Sequence, residues 1–205
     1  MPKKIFITIL ISAICANVFS QNGRALNESE KEAFAHRMDV YSQQIQTLQC
    51  DFVQEKTSTL LAEKAVAKGN LIYQSPSMLR WEYTDPTPYT LIINGNDAVL
   101  LDSEGKKLGN ERLLKQLGGI VISMINGDGI TQNKMFSSVL FRMDSSHIRV
   151  VLSPLQKRLK DFYTNIELII EADTMLANQI TLEEISGDKM IIFLTNKVLN
   201  NDIIR

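Results

Sequence analysis

Apolar positions along the chain change period twice, and each change marks a change of element. From Asn27 the sequence offers capping side chains, with Ser29 and Glu32 spaced as a capping box, and Phe34, Met38, Tyr41, Ile45 and Leu48 follow at helical spacing. This predicts an amphipathic helix from about Ser29 to Leu48. Beyond it the period is two. Leu48, Cys50 and Phe52 alternate with Gln49, Asp51 and Val53, and Leu79, Trp81 and Tyr83 alternate with Arg80 and Glu82; Leu71 with Tyr73 and Leu91 with Ile93 keep the same step. Such runs read as strands with one apolar face. The second half repeats the pattern at Val139 to Met143, His147 to Leu152, Phe162 to Ile170, Gln179 to Ile185 and Lys189 to Thr195.

The connections predict antiparallel hairpins. Asn94-Gly95 suits a tight turn, Asp102 to Gly105 another, and Asp85-Pro-Thr-Pro88 interrupts a ladder where proline cannot donate. Asp144 to Ser146, Ala172 to Thr174 and Ser186 to Asp188 supply turns in the second half. No crossover helices separate these strands. About ten of them make a meander or open barrel rather than a parallel sheet.

One segment between the two strand sets departs from this period. Leu113, Leu114, Leu117, Ile120, Val121, Met124 and Ile125 form an apolar helix that contains Gly118-Gly119 and stops at Asn126-Gly-Asp-Gly129. Glycine in a helix interior costs about 1 kcal/mol relative to alanine, so this helix is expected to kink or open there. Lying across a curved sheet, it fits a core helix or a lid.

Composition narrows the function. With 22 Lys+Arg against 23 Asp+Glu in 205 residues there is no basic stripe for a nucleic-acid backbone. Lys3 and Lys4 precede an apolar run from Ile5 to Val18, which reads as a signal peptide over residues 1–20, cleaved near Ser20/Gln21. The run is shorter than the roughly 20 residues of a membrane span. Its removal leaves 20 basic and 23 acidic side chains, net −3, on a single domain over residues 21–205. Cys15 leaves with the leader, and as Ile14 is bulky it does not fit a lipidation site; Cys50 remains alone without an internal disulfide partner. A free periplasmic monomer is expected.

Enzyme chemistry finds little support, and no cofactor or metal is implied. His36 and His147 lack metal-site spacing. Asp144, Ser145, Ser146 and His147 hold the residue types of a catalytic triad, but adjacent residues at a hairpin tip diverge. Cys50, flanked by apolar positions on a strand, reads as a small buried hydrophobe. Lys157, Arg158 and Lys160 form a basic cluster that suits a solvated turn or an anionic partner. The apolar face itself remains. On residue types alone Phe52, Leu71, Tyr73, Leu79, Trp81, Tyr83, Leu91 and Ile93 read first as core, since any apolar sheet face must be covered, with the wall of a binding cavity as the alternative.

The motifs Asp51-Phe-Val-Gln-Glu55, Lys68-Gly-Asn-Leu-Ile-Tyr73, Ser75-Pro76, Leu79-Arg-Trp-Glu-Tyr83, Pro86 and Ile93-Asn-Gly95 follow one another in an order that resembles the LolA-type periplasmic carriers of outer-membrane lipoproteins. Leu152-Ser-Pro154, Ile166 to Ile170, and Gly187-Asp188 before Ile191-Ile-Phe193 also fall in family order, so the resemblance spans nearly the whole mature chain. It implies a mainly β fold with helices (α+β), in which a strongly curved antiparallel sheet forms an unclosed β-barrel with an N-terminal helix and a helical lid over an apolar cavity. The eight residues above would then line a lipid cavity, and Leu113, Leu117, Ile120, Val121 and Met124 would belong to the lid. The implied partners are acylated lipoproteins, an inner-membrane release complex and an outer-membrane acceptor. A carrier of another amphiphile, or a lipoprotein-sensing regulatory protein, is the alternative on the same fold. Two departures stand out. Ser75 occupies the place of a family arginine that helps hold the lid shut, and the sequence ends soon after Val198-Leu-Asn200, short of the further strand many members have.

Overall fold

In the computed structural model, residues 23–59, 64–109, 111–126, 130 and 135–201 are described, with backbone alone for 111–114 and 116–117. The leader assigned to residues 1–20, and Gly127 to Gly129 of the helix stop, lie outside them. Helix α1 spans Glu28–Gln44. Its N-cap is Asn27, whose side chain accepts from the Glu30 amide while the Glu30 carboxylate accepts from the Asn27 amide. The box therefore sits two residues before the expected Ser29/Glu32 pair, because Asn27 holds the extended backbone that a cap needs. The helix also ends earlier than expected. Ile45 is already extended, and Leu48 enters the first long strand, where its burial belongs to the sheet.

Eleven strands form one antiparallel sheet: β1 (Arg24–Ala25), β2 (Thr47–Thr57), β3 (Lys64–Gln74), β4 (Met78–Asp85), β5 (Tyr89–Asn94), β6 (Asp97–Asp102), β7 (Phe136–Arg142), β8 (His147–Pro154), β9 (Tyr163–Glu171), β10 (Ala177–Glu184) and β11 (Lys189–Leu199). Two meanders, β2 to β6 and β7 to β11, meet where β11 pairs with β2. The ends of the order are β1 and β6, which do not pair, so the barrel is unclosed. This is the expected fold class.

Helix α2 (Glu111–Ile125) connects β6 to β7, which lie toward opposite ends of the strand order. The connection must therefore pass from one side of the curved sheet to the other. A four-residue helix α3 (Lys157–Lys160) buries Leu159 and leaves Lys157, Arg158 and Lys160 exposed.

Alternation along the strands puts large apolar side chains on one face. Residues from β2 to β11, together with Phe34 and Met38 of α1 and Ile120, Val121 and Met124 of α2, form a single contiguous core. The outward face carries ion pairs such as Lys56–Glu184 and Lys64–Glu55. Exposed pairs of this kind add little stability. Gly69 is required by the packing: a Cβ there would lie 1.8 Å from the Glu82 carbonyl oxygen and 2.8 Å from the Phe52 ring.

Candidate functional site

All eight residues expected on the cavity wall are buried on the inner face of β2 to β5. The register places Leu71 opposite Trp81 and Trp81 opposite Leu91. Around them Phe52 meets Trp81 edge-on at 5.7 Å and Tyr83 at 4.9 Å, and Tyr83 stacks on Tyr89 at 4.2 Å. Such pairs add about 0.5–1.5 kcal/mol each beyond area burial. The Tyr83 hydroxyl donates to Gln54 Oε1 at 2.7 Å, and burial raises its pKa. Trp81 Nε1 is buried with no hydrogen-bond partner among the described residues.

The cavity lies toward the other side of the interior. Its volume is about 50 Å³, and its wall comes from Leu48, Cys50 and Leu71 of β2 and β3, Leu168 and Ile170 of β9, Ile180 of β10, Leu194 of β11, and Met38 of α1. Val121, Met124 and Ile125 of α2 close it. Of the eight expected residues only Leu71 lines this space; the other seven pack in the core continuous with it. The sequence reading missed the contribution of β9 to β11, since no local signal says that β11 turns back to pair with β2. It also missed Lys197, whose half-buried side chain is the one charged group on the lining.

Among the five expected lid residues, Ile120, Val121 and Met124 are buried, while the side chains of Leu113 and Leu117 lie outside those described. The two glycines do not break α2, which runs helically through both. They differ in role. A Cβ on Gly118 would lie 2.2 Å from Ile93 Cδ1 and 3.2 Å from Leu79 Cδ2, whereas one on Gly119 would meet nothing within 4 Å. Gly118 thus lets the helix seat closely on β4 and β5, and Gly119 faces outward.

The end of α2 is fastened by Asn126. Its Oδ1 accepts from the Tyr73 hydroxyl, and its Nδ2 donates to the Pro76 carbonyl at 2.9 Å. Lys115 Nζ donates to the Asn96 carbonyl in the β5–β6 turn. These contacts, two of them neutral and one from a lysine, hold the lid in a chain with Ser75 at the place of the family arginine. The neutral ones are worth about 0.5–1.5 kcal/mol net each, a closure that binding energy can undo.

His147 Nδ1 lies 3.1 Å from Asp144 Oδ1, and the same oxygen accepts the Ser146 and His147 amides, so Asp144 organises a turn. His36 is exposed on α1. Burial pushes the Cys50 thiol up to about 12, which leaves it protonated and a poor nucleophile. No group of three His, Cys, Asp or Glu side chains converges among the described residues. Among the described residues no helix is long and apolar enough to cross a membrane.

The family model for the outer membrane lipoprotein carrier protein LolA matches residues 43–203. The chain belongs to the LolA family. The match begins near the end of α1 and takes in the whole sheet from β2 to β11. Similar solved structures include a LolA superfamily protein from Nitrosomonas europaea (10% identity, covering 82% of this chain and 94% of that one, TM-score 0.41). Another is a putative outer membrane lipoprotein-sorting protein domain from Vibrio parahaemolyticus (7%, 86% and 95%, 0.46). A third is MucB in the MucA/MucB complex of Pseudomonas aeruginosa (12%, 85% and 58%, 0.49). No match was found among curated proteins.

Proposed function

We infer that this LolA-family chain is a periplasmic carrier that shields the acyl chains of lipoproteins in its apolar interior on the way from the inner to the outer membrane. The observation that carries this reading is an apolar cavity roofed by a helix that, among the described residues, is seated by apolar side chains and fastened by hydrogen bonds from Tyr73, Asn126 and Lys115. At about 50 Å³ the cavity is far below the roughly 300–1,000 Å³ of a ligand site, so loading requires its wall to move. Helix α2 is the element placed to do so.

The energetics favour a loose complex. Lifting α2 exposes Ile120, Val121 and Met124, at about 1.5–3 kcal/mol each, or roughly 5–9 kcal/mol together. Burying a chain of about 16 carbons returns about 13 kcal/mol at 0.8 kcal/mol per methylene. The surplus of about 4–8 kcal/mol corresponds to millimolar to micromolar affinity per chain, suited to unloading. An inner-membrane release complex and an outer-membrane acceptor are the partners such a cycle needs, and the reading gives the protein no catalytic step.

A synthetic triacylated lipopeptide tests it against the same peptide without acyl chains, with native mass spectrometry and the emission of Trp81, the only tryptophan, as readouts. Complex formation by the acylated peptide alone is expected. Equal binding, or none, overturns the reading.

A further inference from the structure

Lys197 is brought to the cavity by a defect in the sheet. Thr195 pairs with Asp51 and Val198 with Gln49, so β11 spends three residue steps where β2 spends two. The extra residue reverses the in-out alternation after Leu194, and Asn196 takes up a left-handed backbone at φ 52. Bulges of this kind re-aim side chains. This one is fastened from outside: Asp51 accepts from Asn196 Nδ2 and from Asn70 Nδ2, each at 2.7 Å. Without the bulge, continued alternation would turn Lys197 to the outer face.

The ammonium so placed is incompletely partnered. Lys197 Nζ donates to the Ala177 carbonyl at 3.2 Å and to Asn178 Oδ1, both neutral, which occupies two of its three N–H groups. Among the described residues no carboxylate lies within 4 Å of it. A leucine or methionine would fill an apolar wall without the cost of desolvating a charge. Burial draws the lysine pKa down, and the charge of Glu171 opposes that shift.

We propose that Lys197 is the head-group contact of this cavity, and that the chain prefers an amphiphile whose apolar tail enters the interior and whose anionic head, a carboxylate, meets Nζ. An anionic oxygen is favoured over a neutral one because charge-assisted hydrogen bonds are about twice as strong, and more so in a low-dielectric wall. The proposal rests on the acyl-cavity reading and extends it to carboxylate-headed amphiphiles such as fatty acids, since the ester- and amide-linked chains of a lipoprotein carry no carboxylate.

The test is calorimetric titration of the full chain with dodecanoate and with dodecan-1-ol, which share a tail and differ in the head. Wild type is expected to bind dodecanoate roughly tenfold more tightly than the alcohol. K197M and K197Q are both expected to lose that preference, the two probes then binding with similar affinity. K197Q retains a neutral donor for Ala177 and Asn178, so it separates the charge from the bridge between β10 and β11. Equal affinity of wild type for the two probes, or a preference that survives in both variants, overturns the proposal. Failure of wild type to bind either probe overturns the acyl-cavity reading itself.

Discussion

Alanine at Gly118 and alanine at Gly119 are expected to act in opposite directions, although the two glycines are adjacent and chemically identical. In a helix interior each replacement gains about 1 kcal/mol of intrinsic propensity. At Gly119 nothing lies within 4 Å of the new methyl, so the gain is kept whole. At Gly118 the methyl arrives 2.2 Å from Ile93 Cδ1 and 3.2 Å from Leu79 Cδ2. Both neighbours are enclosed, at 2% and 0% exposure, and have no solvent to swing into. Overpacking of this kind costs about 1–3 kcal/mol, which cancels or outweighs the propensity gain. The two variants should therefore differ by about 1–3 kcal/mol, and at about 2–4 °C per kcal/mol G118A should melt at least a few degrees below G119A. The cost at Gly118 falls on the seated helix. Weaker docking by 1 kcal/mol raises the open population roughly fivefold, so G118A should take up a fluorescent fatty acyl probe faster than wild type, and G119A no faster. Thermal melts followed by stopped-flow uptake measure both. If the two alanines shift melting and uptake alike, α2 does not seat on β4 and β5 through Gly118.

Further expectations follow from the same contacts. Asn126→Ala removes one acceptor of the Tyr73 hydroxyl and a donor to Pro76, so the lid should loosen by about 1–3 kcal/mol, seen as faster hydrogen exchange across α2; unchanged exchange would mean that Asn126 is no latch. Gly69→Ala drives a methyl into the Glu82 carbonyl at 1.8 Å, a backbone atom that cannot rotate away, and urea titration should show a loss of about 2 kcal/mol or more. The Cys50 thiol, at about 12 in the folded chain, binds a proton that the unfolded thiol releases near 8.5, so its contribution to stability is intact below about pH 8.5 and declines as pH rises toward 12. Comparison of Cys50→Ala with wild type across that window isolates it, and the difference between them should narrow as the pH rises.

Much of this molecule is legible in its sequence, and the boundary has a physical cause. The alternation in β2 to β5 marks the inner face because an antiparallel strand with one wet side must alternate. The seven apolar positions of the second helix mark α2 for the corresponding reason at a period of 3.6. What stays hidden depends on pairing between distant segments. The closure of β11 on β2 moves the cavity toward Leu168, Ile180 and Leu194, away from the aromatic residues that look most like a binding wall. The difference between Gly118 and Gly119 needs the neighbours of each, which sequence spacing does not supply. Lys197 is hidden most thoroughly, because the alternation that locates its neighbours fails at the bulge that aims it.

Locking α2 to the sheet tests the central claim directly. Ile93 Cγ1 lies 3.5 Å from the ideal Cβ position at Gly118, so Ile93 Cβ, one bond of about 1.5 Å further along the side chain, is at most about 5 Å from it and near the span a disulfide bridges. With Cys50 replaced by serine, the I93C/G118C pair should close on oxidation, which mass spectrometry verifies. The measurement is binding of the triacylated lipopeptide before and after reduction. No loading is expected while the bond is closed, with recovery when it is reduced. Equal loading in both states would contradict an acyl cavity opened by α2.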